Sequence, residues 1–385
     1  MSKNSYFYDM LEKAEALHGE YVIDGVREEL SPARMLNSLC SAPQAAEFAA
    51  DPIIDETPEP AAARLLEFDD AQIGTYLAKV MALGPRSHAF PMAFSAPYTR
   101  LLIAQALIDT LWKRGHFRLG DLALSMEWKW NSDALGNMAA FYRSAQSAAD
   151  YIDSLGLRLS HYSYQPSKTS HIEISTPLFR SLGEDDDPLE KLPFHSGNPW
   201  LSGSREQPNT LVHDPKSWII YIPFESCDYR LGGSALAQTL DFAGGTAPEI
   251  GDADYFLDCY EVIRELVEDG ILLAGETVGA GGLMAALRKM CGFRTGAEID
   301  LGDLMRATGE KGRTRLLFSE VPGALIQLRD SDYDYLDAEL LLQDVSYYPL
   351  GHVRPGGGID VLSSEKNGLQ TILESLIQKS SEGED

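Results

Sequence analysis

The sequence predicts a two-subdomain α+β protein, on three observations. Its 385 residues are enough to bury a sizeable core and divide it between two packed units. Stretches with helical apolar spacing alternate with short apolar runs of strand length. Glycines punctuate the switches between them, most densely from Leu231 to Leu283.

Composition narrows the class. A hydrophobic share of 44% with 23% charged residues is that of an ordinary soluble globular protein. The formal charge of -26 excludes a general nucleic-acid binder, because a phosphate backbone would be repelled. Cys40, Cys227, Cys259 and Cys291 show no metal-binding spacing and read as buried free thiols in a reducing compartment. No basic-then-apolar leader opens the chain, and no apolar run reaches the length of a membrane span. The expected location is cytoplasmic, with neither nucleic acid nor membrane as partner.

Taken in order, residues 1–80 read as a helical N-terminal extension with acidic, Ala- and Pro-rich connections. A helix starts at Ser31-Pro32, another near Pro60, and a third carries Ile73, Leu77 and Val80 on one face. Residues 81–180 form a first subdomain. SAPYTRLLIAQALIDTLWKRG is a strong helix with a broad stripe from Leu101 to Leu111, and GDLALSMEWKWN is a strand. Residues 138–156 make an amphipathic helix ended by Gly156. Residues 181–216, rich in Pro, Gly, Ser and acids, are a long loop or linker. Its triplet Asp185–Asp187 is either a cation lure or, more commonly, a solvated run.

Residues 217–360 form the second subdomain. SWIIYIPFES is a buried strand leading into the turn Gly232-Gly233-Ser234. A helix over 255–268 should pack through Ile263 and Leu266 on a buried strand at 271–274. Gly279, Gly281 and Gly282 then make a loop into a helix over 283–290, and Arg313–Phe318 with Ala324–Leu328 reads as a β-hairpin. A last helix and strand precede the segment 361–385, a C-terminal helix and tail. Each glycine-rich turn is open to two readings: a cradle for a phosphate, or a tight packed connection, which spacing alone favours.

The LGGSALAQ segment, the helix after it, the GG-L loop and the later LFSEVPGALIQL resemble the synthetase half of formylglycinamide ribonucleotide amidotransferase, a family that shares its fold with aminoimidazole ribonucleotide synthetase. The resemblance runs from about Ala82 to Val353 and is strongest from Leu231 onward. It implies mixed sheets covered by helices, a C-terminal α/β-sandwich subdomain, ATP or ADP with Mg²⁺, and a homodimer or a heteromer with a related synthetase subunit. By the same resemblance, Gly232, Gly233, Ser234, Gly279, Gly281 and Gly282 are nucleotide-binding positions.

The departures from the family are specific. Its His-Asp-Arg-Ser-Asp-Gly-Gly-Leu loop is replaced by the residues from Glu276 to Leu283, which keep the glycines and lose the ionisable groups. A helical Glu and Asn become Gln105 and Asp109, and Glu127 stands where Asn is expected, leaving Asp109 and Glu127 as metal candidates. Lys168 belongs to the family's ATP-serving loop only if about five residues are inserted, and otherwise it is a solvated loop lysine. Glu276 and Glu320 are weak catalytic candidates. No glutaminase cysteine site is expected, and no GxSxG elbow accompanies His161, His171 or His213. Two functional readings follow. One is a catalytically impaired relative serving as a nucleotide-binding or structural partner in purine synthesis. The other is an active ATP-dependent carbon–nitrogen ligase with a rebuilt site around Asp109, Glu127, Glu276 and Glu320.

Overall fold

The computed structural model describes residues 3–44, 51–60, 90–177, 205–239 and 245–362. The predicted helices near Pro60 and over Ile73–Val80, the triplet Asp185–Asp187 and the segment from 363 onward lie outside the described residues. The fold is α+β, with three sheets among the described residues, each of them mixed.

The chain begins with α1 (Lys3–His18), β1 (Tyr21–Ile23), β2 (Val26–Arg27), α2 (Pro32–Asn37) and β3 (Ile53–Asp55). The strands form a small sheet in the order β2-β1-β3, where the sequence pattern predicts helices alone. Asp24 and Gly25, both at positive φ (52° and 79°), make the two-residue hairpin turn that an Asp-Gly pair favours. This N-terminal segment lies along the next unit. Leu159 donates its N–H to Leu39 O at 3.1 Å, Tyr142 donates its hydroxyl to Leu30 O at 3.0 Å, and Gln44 meets His161 at 2.9 Å.

That unit contains α3 (Ser95–Leu111), β4 (Ala123–Trp130), α4 (Asn137–Ser154), β5 (Arg158–Pro166) and β6 (His171–Ser175), with sheet order β5-β4-β6. Alternation along β4 sends Met126, Trp128 and Trp130 into the core and leaves Ser125, Glu127 and Lys129 on the other face. Each buried indole finds an acceptor: Trp128 donates to Ser144 Oγ at 2.8 Å and Trp130 to Asn137 O at 2.7 Å. Helices α3 and α4 pack closely because α4 is lined with Ala139, Ala140, Ala145 and Ala148, and Thr99 bonds Ser144 across them at 2.7 Å. Gly156 follows α4 at φ 65°.

The remaining elements are β7 (Trp218–Pro223), α5 (Ala235–Thr239), α6 (Ala253–Glu268), β8 (Leu272–Val278), α7 (Gly282–Met290), β9 (Thr295–Ile299), α8 (Gly302–Thr308), α9 (Arg313–Phe318), β10 (Gly323–Leu328), α10 (Tyr333–Leu342), β11 (Tyr348–Pro355) and β12 (Ile359–Val361). They build a six-stranded sheet in the order β12-β9-β11-β7-β10-β8. One face, with Ile220, Ile222, Ala324 and Ile326, joins a core shared with α3, α4 and α6. The other, with Ile219, Tyr221, Ala274, Val278 and Leu325, packs on Leu236, Leu287, Leu317 and their neighbours. Ile263 and Leu266 are buried, in the same core as Leu272.

The expected hairpin of Arg313–Phe318 with Ala324–Leu328 is not formed. Residues 313–318 are the helix α9, and β10 is already flanked by β7 and β8, so no edge is vacant for them. A short apolar run such as LLF fits either structure, and the neighbouring strands decide. All four cysteines are free, but only Cys259 is buried; the other three are partly exposed at turns and helix ends. Among the described residues, no helix is long and apolar enough to cross a membrane.

Candidate functional site

Strand β8 is the edge of the large sheet, and Glu276, Gly279, Gly281 and Gly282 lie along it or just beyond. The strand runs past Ala274 to Val278, so Glu276 sits in a ladder opposite Leu325 and not in the loop predicted for it. Alternation then splits the site between two faces. Glu276 projects to one, where its buried carboxylate is held 3.4 Å from Arg205 and 3.6 Å from Lys289. Arg205 also donates to the carbonyls of Gly275 and Gln207 and lies over the Trp112 ring, 5.7 Å from its centroid. The edge is further closed by Gly275 N–H donating to Pro208 O at 2.9 Å.

The opposite face of β8 receives α3. Gln105, Asp109 and Trp112 follow one stripe of that helix and meet Gly279, Thr277 and Gly275 in turn. The Thr277 hydroxyl donates to Asp109 and accepts from the Trp112 indole at 2.8 Å. The two glycines are spacers for this contact. A Cβ on Gly279 would lie 2.5 Å from the Gln105 amide carbon, and one on Gly275 would lie 2.3 Å from the Trp112 ring. Asp109 and Glu276 therefore look away from each other across the same strand.

Glu127 is farther removed in role. It lies on the face of β4 opposite to Met126 and Trp128, which point to the helices, and it accepts from Gln165 with Lys129 3.8 Å away. The metal candidates Asp109 and Glu127 thus do not converge. Among the described residues no group of three or more His, Cys, Asp or Glu side chains stands ready for a metal ion. The residues do not fit the Mg²⁺ site that the resemblance implies. Lys168 is exposed in the turn between β5 and β6, where its carbonyl accepts from Asn131 at 2.9 Å.

The two glycine turns do come together, and Glu320 joins them. This residue is 3% exposed, and one of its oxygens accepts the N–H of Ala235 and the N–H of Gly281, each at 2.8 Å. Burial pushes its carboxyl up to about 7, and the two backbone donors pull the other way. Ser234 is likewise committed: its hydroxyl donates to Leu231 O at 2.7 Å and accepts from Ala237 N–H at 3.2 Å. Gly232 lets the chain pass the backbone of Thr246, which a Cβ would approach to 2.5 Å. Backbone donors that a phosphate would need at Ala235 and Gly281 are thus filled by the protein's own carboxylate.

The same device recurs at two other helix starts. Asp55 accepts the N–H groups of Gly136, Met138 and Ala139 at the start of α4, and Glu225 accepts those of Gly251 and Asp252, at 2.7 and 3.1 Å, before α6. Sequence reasoning missed Asp55, Glu225, Arg205 and Lys289. Arg205 fell in a stretch read as linker, and each of the others acts on a partner at least 13 residues away.

Residues 223–362 match the model of the family described as AIR synthase related protein, C-terminal domain. The probable chloroplastic/mitochondrial phosphoribosylformylglycinamidine synthase of Arabidopsis thaliana is 24% identical over 271 residues, covering 68% of this chain and 18% of that protein. The phosphoribosylformylglycinamidine synthase of Drosophila melanogaster is 29% identical over 173 residues, covering 42% of this chain and 13% of that protein. The chain therefore spans less than a fifth of the length of either relative. Among solved structures, T. maritima PurL complexed with FGAR aligns with TM-score 0.47 at 12% identity, covering 72% of this chain and 42% of that one.

Proposed function

We propose that this chain, a divergent relative of the phosphoribosylformylglycinamidine synthases and of the AIR synthetase-related superfamily, is a catalytically silent synthetase-like protein of purine nucleotide synthesis that acts as a structural partner. One observation carries the reading: the four carboxylates available for a rebuilt site are dispersed, and each is engaged. Asp109 is bonded to Thr277, Glu127 to Gln165, Glu276 is held between Arg205 and Lys289, and Glu320 is closed on two backbone amides. Transferring a phosphoryl group to an amide oxygen requires metal and donors gathered around one developing charge. Dispersed and internally satisfied groups do not provide that.

The partner in this reading is a second copy or a related synthetase subunit. The β5 edge of the small sheet is taken by the chain's own residues Leu39 and Cys40, so the partner docks elsewhere. The test is a product assay with ATP, Mg²⁺, formylglycinamide ribonucleotide and ammonia, run beside calorimetric titration with ADP. No amidine above background is expected. Amidine formation that is lost in Glu276→Gln would replace this reading with that of an active ligase. A heat of ADP binding without turnover would keep the silent reading and add a structural nucleotide to it.

A further inference from the structure

We propose that a second copy of this chain docks head to tail: the basic Phe293 tip at one end of the six-stranded sheet enters the acidic, tyrosine-walled cleft at the other end of that sheet in the next copy. The tip is two bonded loops. Residues 291–294, between α7 and β9, meet residues 356–358, between β11 and β12. Gly356 N–H donates to Arg294 O at 3.1 Å, and the Cys291 thiol to Gly358 O at 3.8 Å. Residues 288–294 carry Arg288, Lys289 and Arg294 with no acid among them, on a chain whose formal charge is -26. Arg354 joins them from the end of β11. Lys289 and Arg354 meet Glu276 and Asp360, whereas Arg288 and Arg294, both exposed, make no ion pair among the described residues. Basic residues in the last turn of α7 suit its dipole, but Phe293 and Arg294 lie beyond the helix. Phe293 is fully exposed and packs on nothing in its own chain. An aromatic ring flanked by arginines is the composition of a contact surface.

The cleft is the complement of the tip. It holds about 260 Å³ and is walled by the phenols of Tyr229, Tyr255 and Tyr348 and the carboxylates of Glu225, Asp228 and Glu310; among the described residues no Lys, Arg or His lines it. Asp228 meets Arg230, and Glu310 meets Arg315 at 3.1 Å, each from outside the lining. A cavity of about 150 Å³ accepts benzene, so the cleft has room for a ring or a guanidinium. A guanidinium there meets carboxylates and phenols, which both favour it. Burial raises both nearby thiols, but their neighbours differ: Glu225, Asp228 and Glu249 push Cys227 in the cleft further up, while Arg288 and Arg354 pull Cys291 at the tip down. Strand β11 spans the two sites. Tyr348 at its start lines the cleft, and Pro355 at its end opens the glycine loop of the tip, roughly 20 Å away at the rise of a strand. Copies this acidic repel one another over most of their surface, and the tip is where opposite signs meet. Knob and hole at opposite ends of one strand stack copies end to end, a heterologous contact that closes as a ring or runs on as a row.

This contact rests on the reading of the chain as a structural partner and names the surfaces a second copy uses. The test is sedimentation velocity of the full chain over the micromolar range, on wild type, a tip variant with Phe293→Ser and Arg294→Glu, and a cleft variant with Asp228→Lys. All three substituted residues are exposed, so the fold is kept, which circular dichroism checks. Wild type should grow past the dimer with concentration, and each variant alone should associate at least roughly tenfold more weakly. Mixed one to one, the variants should form a dimer and stop there, because the tip variant keeps its cleft and the cleft variant its tip. Raising salt from about 0.05 M to about 0.5 M should weaken the wild-type association. Wild type that stays monomeric, or mixed variants that fail to pair, overturns the contact. Association of both variants at wild-type strength overturns it too, and leaves the partner reading standing through another surface. Amidine formation in the product assay removes the partner reading separately, without moving any of these masses.

Discussion

Glu276 and Glu320 are both buried carboxylates beside a glycine turn, yet the protein handles their charges by opposite means. At the β8 edge, Glu276 is answered by the side chains of Arg205 and Lys289, which reach it from a strap and a helix and remain partly exposed. At the junction of the turns, Glu320 is answered by two fixed backbone donors and, among the described residues, by no cation lining the cavity beside it. Side-chain cations keep a carboxylate charged but are screened by salt and lost by mutation. Peptide dipoles are insensitive to both, and leave the group free to respond to pH. The edge should therefore be sensitive to substitution and salt, and the junction to protons.

The largest effect should come from the hub of the edge. Trp112 is fully buried, bonds Thr277 and lies under Arg205, so Trp112→Ala removes packing, an indole bond and a seat for the guanidinium at once. A loss of about 3–5 kcal/mol in denaturant unfolding is expected. A loss below ~1 kcal/mol would mean that the edge is not held from α3.

Next is the pH dependence of the junction. The folded chain holds the Glu320 carboxyl at about 7, against 4.5 ordinarily, so the folded state keeps this proton longer than the unfolded state. The stability this contributes is fully present below about 4.5 and is lost as pH rises through about 7. The stability of wild type relative to Glu320→Gln should fall across that window, by an amount on the order of 3 kcal/mol. A difference that rises with pH would reverse the comparison between the two carboxylates.

Smaller effects separate the two cations at the edge. Arg205→Ala strips Glu276 of one partner and releases the Gly275 and Gln207 carbonyls, for about 1–2 kcal/mol after allowing for the exposure of the guanidinium. Lys289→Ala should cost under about 1 kcal/mol, because its ammonium is more exposed and stands 3.6 Å from the carboxylate. Raising salt should weaken the wild type toward these variants and leave the Glu320 slope in place. Equal costs for the two substitutions would mean that charge alone, without the bonds to carbonyls, holds the strap.

How much of this was legible in the sequence follows from the range of each interaction. Helix α3, strand β4, helix α4 and helix α6 are written in local periodicity, and the predicted Leu101, Leu107, Ile108 and Leu111 of α3 and Ile263 and Leu266 of α6 are buried. The spacing of Gly279, Gly281 and Gly282 announced a close approach, and the packed-connection reading of Gly279 now has a partner in Gln105. Local pattern failed where neighbours decide. Residues 313–318 became a helix because β10 had no free side, and Glu276 became a strand residue because β8 continued along β10. The Asp24-Gly25 pair was a legible hairpin signal that a helical reading of the extension passed over. Nothing local marks Asp109 as a partner of Thr277, 168 residues on, or Glu320 as the acceptor for Ala235.

The Asp55 contact bears on the order in which the molecule assembles. The first amides of α4 are satisfied by a carboxylate 81 to 84 residues earlier, so the helix cannot complete its own start from its own neighbourhood. Its first turn frays until residues 51–60 arrive, and their arrival in turn orders β3 against β1. Closing a loop of that length is entropically slow, and the contact that rewards it forms late. The N-terminal segment is thereby made a participant in the cooperative unit and not an appendage to it. A protease that nicked the chain between residues 44 and 51 would be expected to loosen α4, nearly a hundred residues downstream, as readily as the strand beside the cut.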